Sequence, residues 1–80
     1  MRQKAYVVHD SAAEAFLPPF FLHTDGIAKR IFADACNDPD HQFGANPQDY
    51  TLFFVGEFDD EFGTLEPQTP TSLGNGLTFI

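Results

Sequence analysis

The chain has 80 residues, ten of them phenylalanine, and a formal net charge of -8 at pH 7. All four basic side chains (Arg2, Lys4, Lys29 and Arg30) lie in the first thirty residues, and phosphate backbones are bound mainly through such side chains. This distribution argues against tight nucleic-acid binding by the rest of the chain, and no apolar run approaches the roughly 20 residues that span a bilayer.

The length predicts one domain, residues 1–80, with a modest core, and ten phenylalanines exceed what such a core is expected to hide. Domains of this size often depend on a partner subunit. Cys36 is the only cysteine, which excludes a disulfide within the monomer and fits a reducing compartment such as a bacterial cytoplasm. No basic N-terminal end is followed by an apolar stretch, so we expect no signal peptide.

The N-terminal third predicts a hairpin. Residues 5–10 are β-branched and aromatic, which favours a strand, and residues 14–17 are expected to return beside them. Pro18 and Pro19 have no backbone donor, so the segment 14–22 is at most an edge strand or is interrupted there.

A helix is predicted over residues 24–37. Thr24 is suited to the N-cap with Asp25 in the first turn, and Pro39 disfavours a helical residue before it. The apolar stripe at helical spacing consists of Ile27, Ala28, Ile31, Phe32 and Ala35, with Cys36 beside it.

After a connector at 38–50, with a short helical turn at 46–49, residues 51–58 predict the strongest strand. Strict alternation places Leu52, Phe54 and Phe58 on one face and Phe53 and Val55 on the other. Apolar residues on both faces indicate a central strand, or a face that a second subunit buries.

The C-terminal part predicts a turn at 59–63 and a returning strand at 64–66 that Pro67 closes. Residues 67–76 are expected to form a loop, with a turn of helix at 70–73 as an option, and 77–80 a short strand or a docking segment. The order β-β-α-β-β, with that optional strand, favours an α+β domain: a small antiparallel sheet with one helix packed on one face.

No residue is assigned a catalytic, metal-binding or cofactor-binding role. Cys36 is expected near the C-terminal end of the helix, where the dipole disfavours a thiolate, so we interpret it as a core residue. The histidines lack metal-site spacing, and the segment 38–41 is interpreted as a helix-terminating turn. No phosphate-binding glycine motif occurs.

Four acids in five residues form the densest charge cluster, and a solvated turn is the favoured interpretation. The functional alternative is a partner-binding patch. Its candidate residues are Phe53, Val55, Glu57, Asp59, Asp60 and Glu61. Lys29 and Arg30 are the candidates for nucleic-acid contact, although ordinary surface solubility explains them better.

Several strings are characteristic when taken in order. They are Leu17-Pro18-Pro19-Phe20-Phe21, Asn37-Asp38-Pro39, His41-Gln42-Phe43, Pro47, Asp49-Tyr50-Thr51-Leu52-Phe53, Gly56, Phe58-Asp59-Asp60 and Gly63. Over about residues 6–73 the chain resembles the small non-structural protein of gokushovirus-type microviruses, which are tailless single-stranded DNA phages.

The resemblance implies a protein made in the cytoplasm of an infected bacterium and absent from the mature virion. It further implies a role like that of the phage protein that favours single-strand genome synthesis, coupled to packaging, over duplex replication. The family brings no established catalytic residues. We therefore expect a non-enzymatic accessory protein that contacts phage or host replication proteins or the procapsid, with a homodimer as an option.

Two alternatives stay open at this stage. One is a weak single-stranded DNA-binding protein that uses Lys29, Arg30 and exposed aromatic rings. The other is an acidic DNA mimic that inhibits a host DNA-binding protein, which requires a continuous carboxylate surface from Asp49 to Glu66.

Overall fold

The computed structural model describes residues 2–80, in which five strands form one antiparallel sheet. The strands are β1 (Arg2–Asp10), β2 (Ala15–Phe16), β3 (Phe20–Leu22), β4 (Tyr50–Asp59) and β5 (Thr64–Asn75). Their order is β2-β1-β4-β5, and β3 also pairs with β1. Two helices, α1 (Asp25–Cys36) and α2 (Gln42–Ala45), and 3-10 turns at Pro47–Asp49 and Gly76–Thr78 complete the described chain. The α+β class and the antiparallel sheet with α1 on one face are confirmed, but the strands outnumber those predicted.

The strand beside β1 is broken at the proline pair, as the missing backbone donors predict. β2 pairs with the C-terminal end of β1, and β3 pairs with its N-terminal half. Between them the amide of Leu17 still donates to the carbonyl oxygen of Val8 at 2.8 Å, whereas Pro18 and Pro19 have no amide hydrogen to donate. The predicted hairpin is therefore present, and β3 is an additional strand that the sequence did not reveal.

Helix α1 begins and ends where the capping residues predict. The Thr24 hydroxyl accepts a hydrogen bond from the amide of Ile27, and Asn37 closes the other end by donating to the carbonyl oxygens of Ala33 and Phe79. The buried stripe is narrower than predicted. It consists of Ala28, Phe32 and Cys36, whereas Ile27 and Ile31 are 43% and 49% exposed. The helix contacts the sheet along its i, i+4 row alone, so residues one position earlier face outward.

The core lies between α1 and the face of the sheet that α1 covers. Tyr6 and Leu52 are fully buried there. The other buried members of this cluster are Val8, Ala28, Phe32, Cys36 and Tyr50. Around Phe32, the rings of Phe43 and Phe79 lie at 5.6 Å and 5.5 Å between centroids, distances at which aromatic pairs add to the stabilisation from burial.

A buried phenol connects the sheet to the first turn of the helix. The Tyr6 hydroxyl donates to Asp25 Oδ1 at 2.6 Å, and Lys4 Nζ lies 3.5 Å from the same oxygen. Burial and the bond to Asp25 raise the pKa of Tyr6, and the Tyr6 hydrogen bond lowers the pKa of Asp25 despite an opposing effect of burial. Burial also raises the pKa of Tyr50.

We therefore expect native tyrosinate to form only above the ordinary tyrosine pKa of about 10. A folded-state pKa above the unfolded one stabilises the fold below pH 10, and that stabilisation is lost as the pH rises further. Ultraviolet absorbance of tyrosinate, titrated with and without denaturant, measures this shift. Because the chain has two tyrosines and no tryptophan, Tyr6→Phe leaves Tyr50 as a single-residue control. Superimposable native and denatured curves would contradict the expectation.

Strand β4 contains a bulge that reverses its alternation. Ala5 pairs with Gly56 while Tyr6 pairs with Phe54, so Val55 is left between the two pairs. Gly56 has a φ of 157°, and a Cβ there would overlap the carbonyl oxygen of Glu66. The bulge transfers the residues after it to the opposite face.

The prediction for Phe58 was consequently wrong. Its ring lies 5.6 Å from that of Phe21, on the face away from α1, whereas Phe54 packs 5.9 Å from Tyr6 in the core. Strict alternation holds only before the bulge, where Leu52 and Phe53 occupy opposite faces.

The C-terminal third differs most from expectation. β5 continues from Thr64 to Asn75, so the predicted stop at Pro67 and the predicted loop or helical turn within 67–76 were wrong. Prolines are tolerated because β5 is an edge strand, and residues 68–70 bulge opposite Val55. Of the two alternatives for 77–80, the short strand is absent from the described chain. A 3-10 turn at Gly76–Thr78 brings Phe79 onto Phe32 instead.

Candidate interaction surfaces

Within residues 2–80, the sheet face opposite α1 has no Asp, Glu, Lys or Arg at any paired position. We call it the outer face. Its paired residues are Gln3, Ala5, Val7, His9, Phe16, Phe21, Thr51, Phe53, Gly56, Phe58, Leu65, Pro67, Ser72 and Asn75. The charged residues that pair in the sheet occupy the other face: Arg2, Lys4, Asp10, Glu57, Asp59 and Glu66. The fold therefore separates charge from apolar surface across one sheet.

Aromatic rings occupy much of the outer face. Phe16 lies 4.7 Å from His9 and 5.8 Å from Phe53, and Phe21 contacts Phe58. Phe16 nevertheless remains 53% exposed. A face of this kind is suited to burial against another apolar surface.

A shallow groove of about 180 Å³ lies at the end of the outer face nearest the β4 bulge. Its lining includes Ala5, Phe21, Val55, Leu65 and Pro67. The glycine at position 56 lets β5 approach β4 closely there, so the bulge shapes the floor of the groove. Glu57 and Glu66 also border the groove, but its accessible surface is almost wholly apolar, which suits an apolar side chain.

We call the end of the β4–β5 hairpin, residues 56–67, the arm. Strand β1 pairs with it as far as Asp59, so only the turn at 60–63 lies beyond the paired positions of the sheet. At the tip of the arm Asp59 Oδ1 accepts from the amides of Glu61 and Phe62, and the amide of Gly63 donates to the Asp59 carbonyl oxygen at 2.8 Å. This turn leaves Phe62 73% exposed beside the acids.

Arg2 neutralises part of the acidic arm. Its guanidinium donates to Glu57 at 2.9 Å and to Glu66 at 2.7 and 3.1 Å. The two carboxylates are directly opposite in the ladder and would repel each other without it. The hydrogen bonds that Arg2 donates to Glu66 and, to a smaller extent, to Glu57 raise the pKa of Arg2. The carboxylate of Glu57 therefore serves as an ion-pair partner of Arg2 within the chain.

The six predicted partner-binding residues do not form one surface. Phe53 lies on the outer face, and Val55 lines its groove. Glu57 and Asp59 pair on the opposite face of the arm, and Asp60 and Glu61 belong to the turn at its tip. Of the six predicted residues, only the four acids lie on the arm.

The two cations predicted for nucleic-acid contact are exposed on α1. Within the described part of the chain, neither Lys29 nor Arg30 forms an ion pair, whereas Arg2 and Lys4 do. Two phosphate contacts to a single strand would give a salt slope of only about -1.4 in log K. Any binding through these two residues alone is therefore weak.

The carboxylates between Asp49 and Glu66 do not form a continuous surface. Asp49 precedes β4 and Asp59 ends it, which separates them by about 30 Å at the rise of an extended strand. Glu57 and Glu66 are bound to Arg2. The structural requirement for a DNA mimic is not met.

The cysteine and the histidines that were considered for catalysis or metal binding occupy structural positions in the fold. Cys36 is buried in the core cluster, as predicted, and burial raises the pKa of its thiol. His41 Nδ1 accepts from the amide of Phe43 and caps α2. His9 lies near the end of β1, and His23 lies just after β3. Among residues 2–80 no group of three or more potential metal ligands is found.

A second apolar groove, of about 220 Å³, lies between α1 and the segment that joins β2 to β3. Leu17, Pro18, Ile31 and Phe43 line it, with His41 at the polar side. The half-exposed Ile31 borders this groove, which accounts for an apolar residue on the outward flank of the helix.

A model of the family described as phage ORF5 protein matches residues 3–79, almost the whole chain. The chain belongs to the phage ORF5 protein family. The resemblance inferred from the ordered motifs is thereby confirmed at the level of a small phage protein. No curated protein and no solved structure matches this ORF5 family member. None of its helices within residues 2–80 is long and apolar enough to cross a membrane.

Sequence reasoning missed several residues of these surfaces in the ORF5 family chain. Phe16, Phe21 and Leu65 join Phe53 on the outer face, and Phe62 stands at the tip of the arm. Gly56 inside a strand was the available signal, because a glycine there often marks a bulge. Nothing in the local sequence indicated that β5 continues through two prolines.

Proposed function

We propose that this phage protein is a non-enzymatic accessory factor of single-stranded DNA synthesis and packaging, of the gokushovirus type. It acts in the cytoplasm of the infected bacterium through contacts with replication proteins or the procapsid and is absent from the mature virion. The membership of the phage ORF5 family supports the viral setting. The buried Cys36, whose pKa is raised, supports a role without nucleophilic catalysis.

The observation that carries the proposal is the turn at the tip of the arm. It presents Glu61 and a largely exposed Phe62 together. An aromatic ring surrounded by acids is suited to a partner with a basic rim and an apolar pocket, because such anchors commonly dominate binding energy. The same combination repels a phosphate backbone.

The arm is tested in the phage itself by the double substitution Glu61→Gln, Phe62→Ala. We expect at least a several-fold fall in encapsidated single-stranded DNA relative to intracellular duplex DNA, because the variant folds but loses its partner contact. Quantifying both DNA forms in infected cells measures the ratio.

The matched control is Asp34→Asn, Leu77→Ala, which removes one exposed acid and one exposed apolar side chain on other elements. It is expected to leave the ratio unchanged. An unchanged ratio in the arm variant, with normal protein levels, would refute the role of the arm.

Direct DNA binding is the second candidate, favoured only by the adjacent exposed cations Lys29 and Arg30. Oligonucleotide retention at about 50 mM salt that disappears in Lys29→Glu, Arg30→Glu would support it, since binding through phosphates falls as salt rises. Equal retention of this variant and the wild type would rule out DNA binding through these two residues.

A further inference from the structure

The outer face is apolar and uncharged in a chain that carries twelve acids and four basic residues. Its exposed large side chains are Phe16, Phe21 and Leu65. Phe53 and Phe58 are half-buried beside them, and Val7 is already buried in the single chain. We propose that a second copy of this chain covers the outer face, so that the protein is a dimer of two sheets packed face to face. This inference does not depend on which partner the arm binds.

The distribution of charge favours a second copy of the chain as the partner that covers the outer face. Two copies that each carry a net charge of -8 repel each other unless their acids point apart. A two-fold interface brings the same patch of both copies together, and the outer face brings no carboxylate with it. A basic partner, by contrast, would gain nothing from an uncharged face and would select the acidic arm.

The size of the face is adequate for a dimer. The two longer Cα extents of the molecule are 39 and 23 Å. An ellipse with these axes has an area of about 700 Å², comparable with the roughly 800 Å² that each partner buries in a standard interface. Burial would also supply what the small core lacks. Leu65 is 64% exposed and Phe16 is 53% exposed in the single chain. An 80-residue protein has a small core, so leaving this apolar surface in water forgoes much of the burial available to it.

The shape of the face suits sheet-on-sheet packing. Twisted antiparallel sheets pack with their inner faces about 10 Å apart and their strands about 30° off parallel. Val7 and Phe53 pair near the middle of the outer face, and the groove beside Val55 lies towards one end. A side chain projecting from the other copy fills such a groove without distortion of either sheet.

Sedimentation of the full chain at micromolar concentration tests the proposal. The wild type is expected at twice the 8.9 kDa mass of the chain. The double substitution Phe16→Lys, Leu65→Lys is expected to give a monomer, because each face would then bury two unpaired charges. Both residues are exposed in the single chain, so the variant retains its fold, which far-ultraviolet circular dichroism verifies.

The matched control Ile31→Lys, Leu77→Lys makes the same charge change at two exposed apolar residues away from the outer face. It is expected to remain a dimer. A monomeric wild type, or assembly beyond a dimer, would overturn the proposal. So would an outer-face variant that stays dimeric, or a control variant that dissociates with it.

Discussion

Replacing Phe32 with alanine is expected to lower the free energy of unfolding by about 3–5 kcal/mol. Phe32 is 2% exposed, and its ring contacts those of Phe43 and Phe79, which belong to two other segments of the chain. Its loss leaves a cavity where three elements meet. An 80-residue domain has a total stability of only about 4–12 kcal/mol, so much of the variant would be unfolded.

Urea denaturation followed by circular dichroism measures the effect, at one protein concentration because self-association would add to stability. Ile31→Ala is the control on the same helix. It truncates an aliphatic residue that is 49% exposed, so we expect a loss of about 1 kcal/mol or less. Similar midpoints for the two variants would contradict the position of Phe32 at the centre of the core.

The parts of the fold that the sequence predicts are those set by local chemistry. Thr24 and Pro39 bracket α1 because capping and proline sterics act over a few residues. The break at Pro18 and Pro19 follows from their missing donors. These elements required no knowledge of distant contacts.

The parts that the sequence does not predict depend on neighbours far along the chain. Pro67 is a strand residue because β5 lies at the sheet edge and is paired on one side with Gly56. The chain before Phe79 forms a 3-10 turn and not a strand, because the ring of Phe79 packs against that of Phe32. In both cases tertiary contacts override the local preference.

The candidate surfaces illustrate the same limit. One unpaired residue, Val55, moves Phe58 from the predicted core face to the outer face. The bulge thereby puts Glu57 beside Arg2 and Glu66 on the helix side. The charge-free character of the outer face is thus a consequence of register, and alternation in the sequence alone gives the opposite assignment after position 55.

Charge segregation links the two proposals. Arg2 binds Glu57 and Glu66 on the helix side of the arm, and Lys4 binds Asp25 near the first turn of α1. The acids that these cations leave exposed lie at the hairpin tip, at Asp34 of α1 and in the turns that contain Glu14, Asp38 and Asp40. Self-association through the outer face would leave the acidic arm of each copy available, so one chain can present both surfaces at once.

Two glycine-to-alanine substitutions are expected to change stability in opposite directions. A Cβ at Gly44 would overlap the carbonyl oxygen of Asp38, part of the backbone turn that follows α1. Gly44→Ala must therefore move α2 and with it Phe43, whose ring lies 4.5 Å from that of Tyr50. We expect a loss of about 1–3 kcal/mol, the range of overpacking that displaces backbone.

Gly26→Ala is the matched control, since a Cβ there meets nothing closer than the Thr24 hydroxyl at 3.8 Å. In the first turn of α1 it should add about 0.5 kcal/mol, because alanine loses less backbone entropy than glycine on forming a helix. Urea midpoints compare the two variants with the wild type. A Gly44→Ala variant as stable as the wild type would refute the close approach of α2 to the turn. Since both changes add one methyl group to a helix, only the space around each glycine accounts for opposite signs.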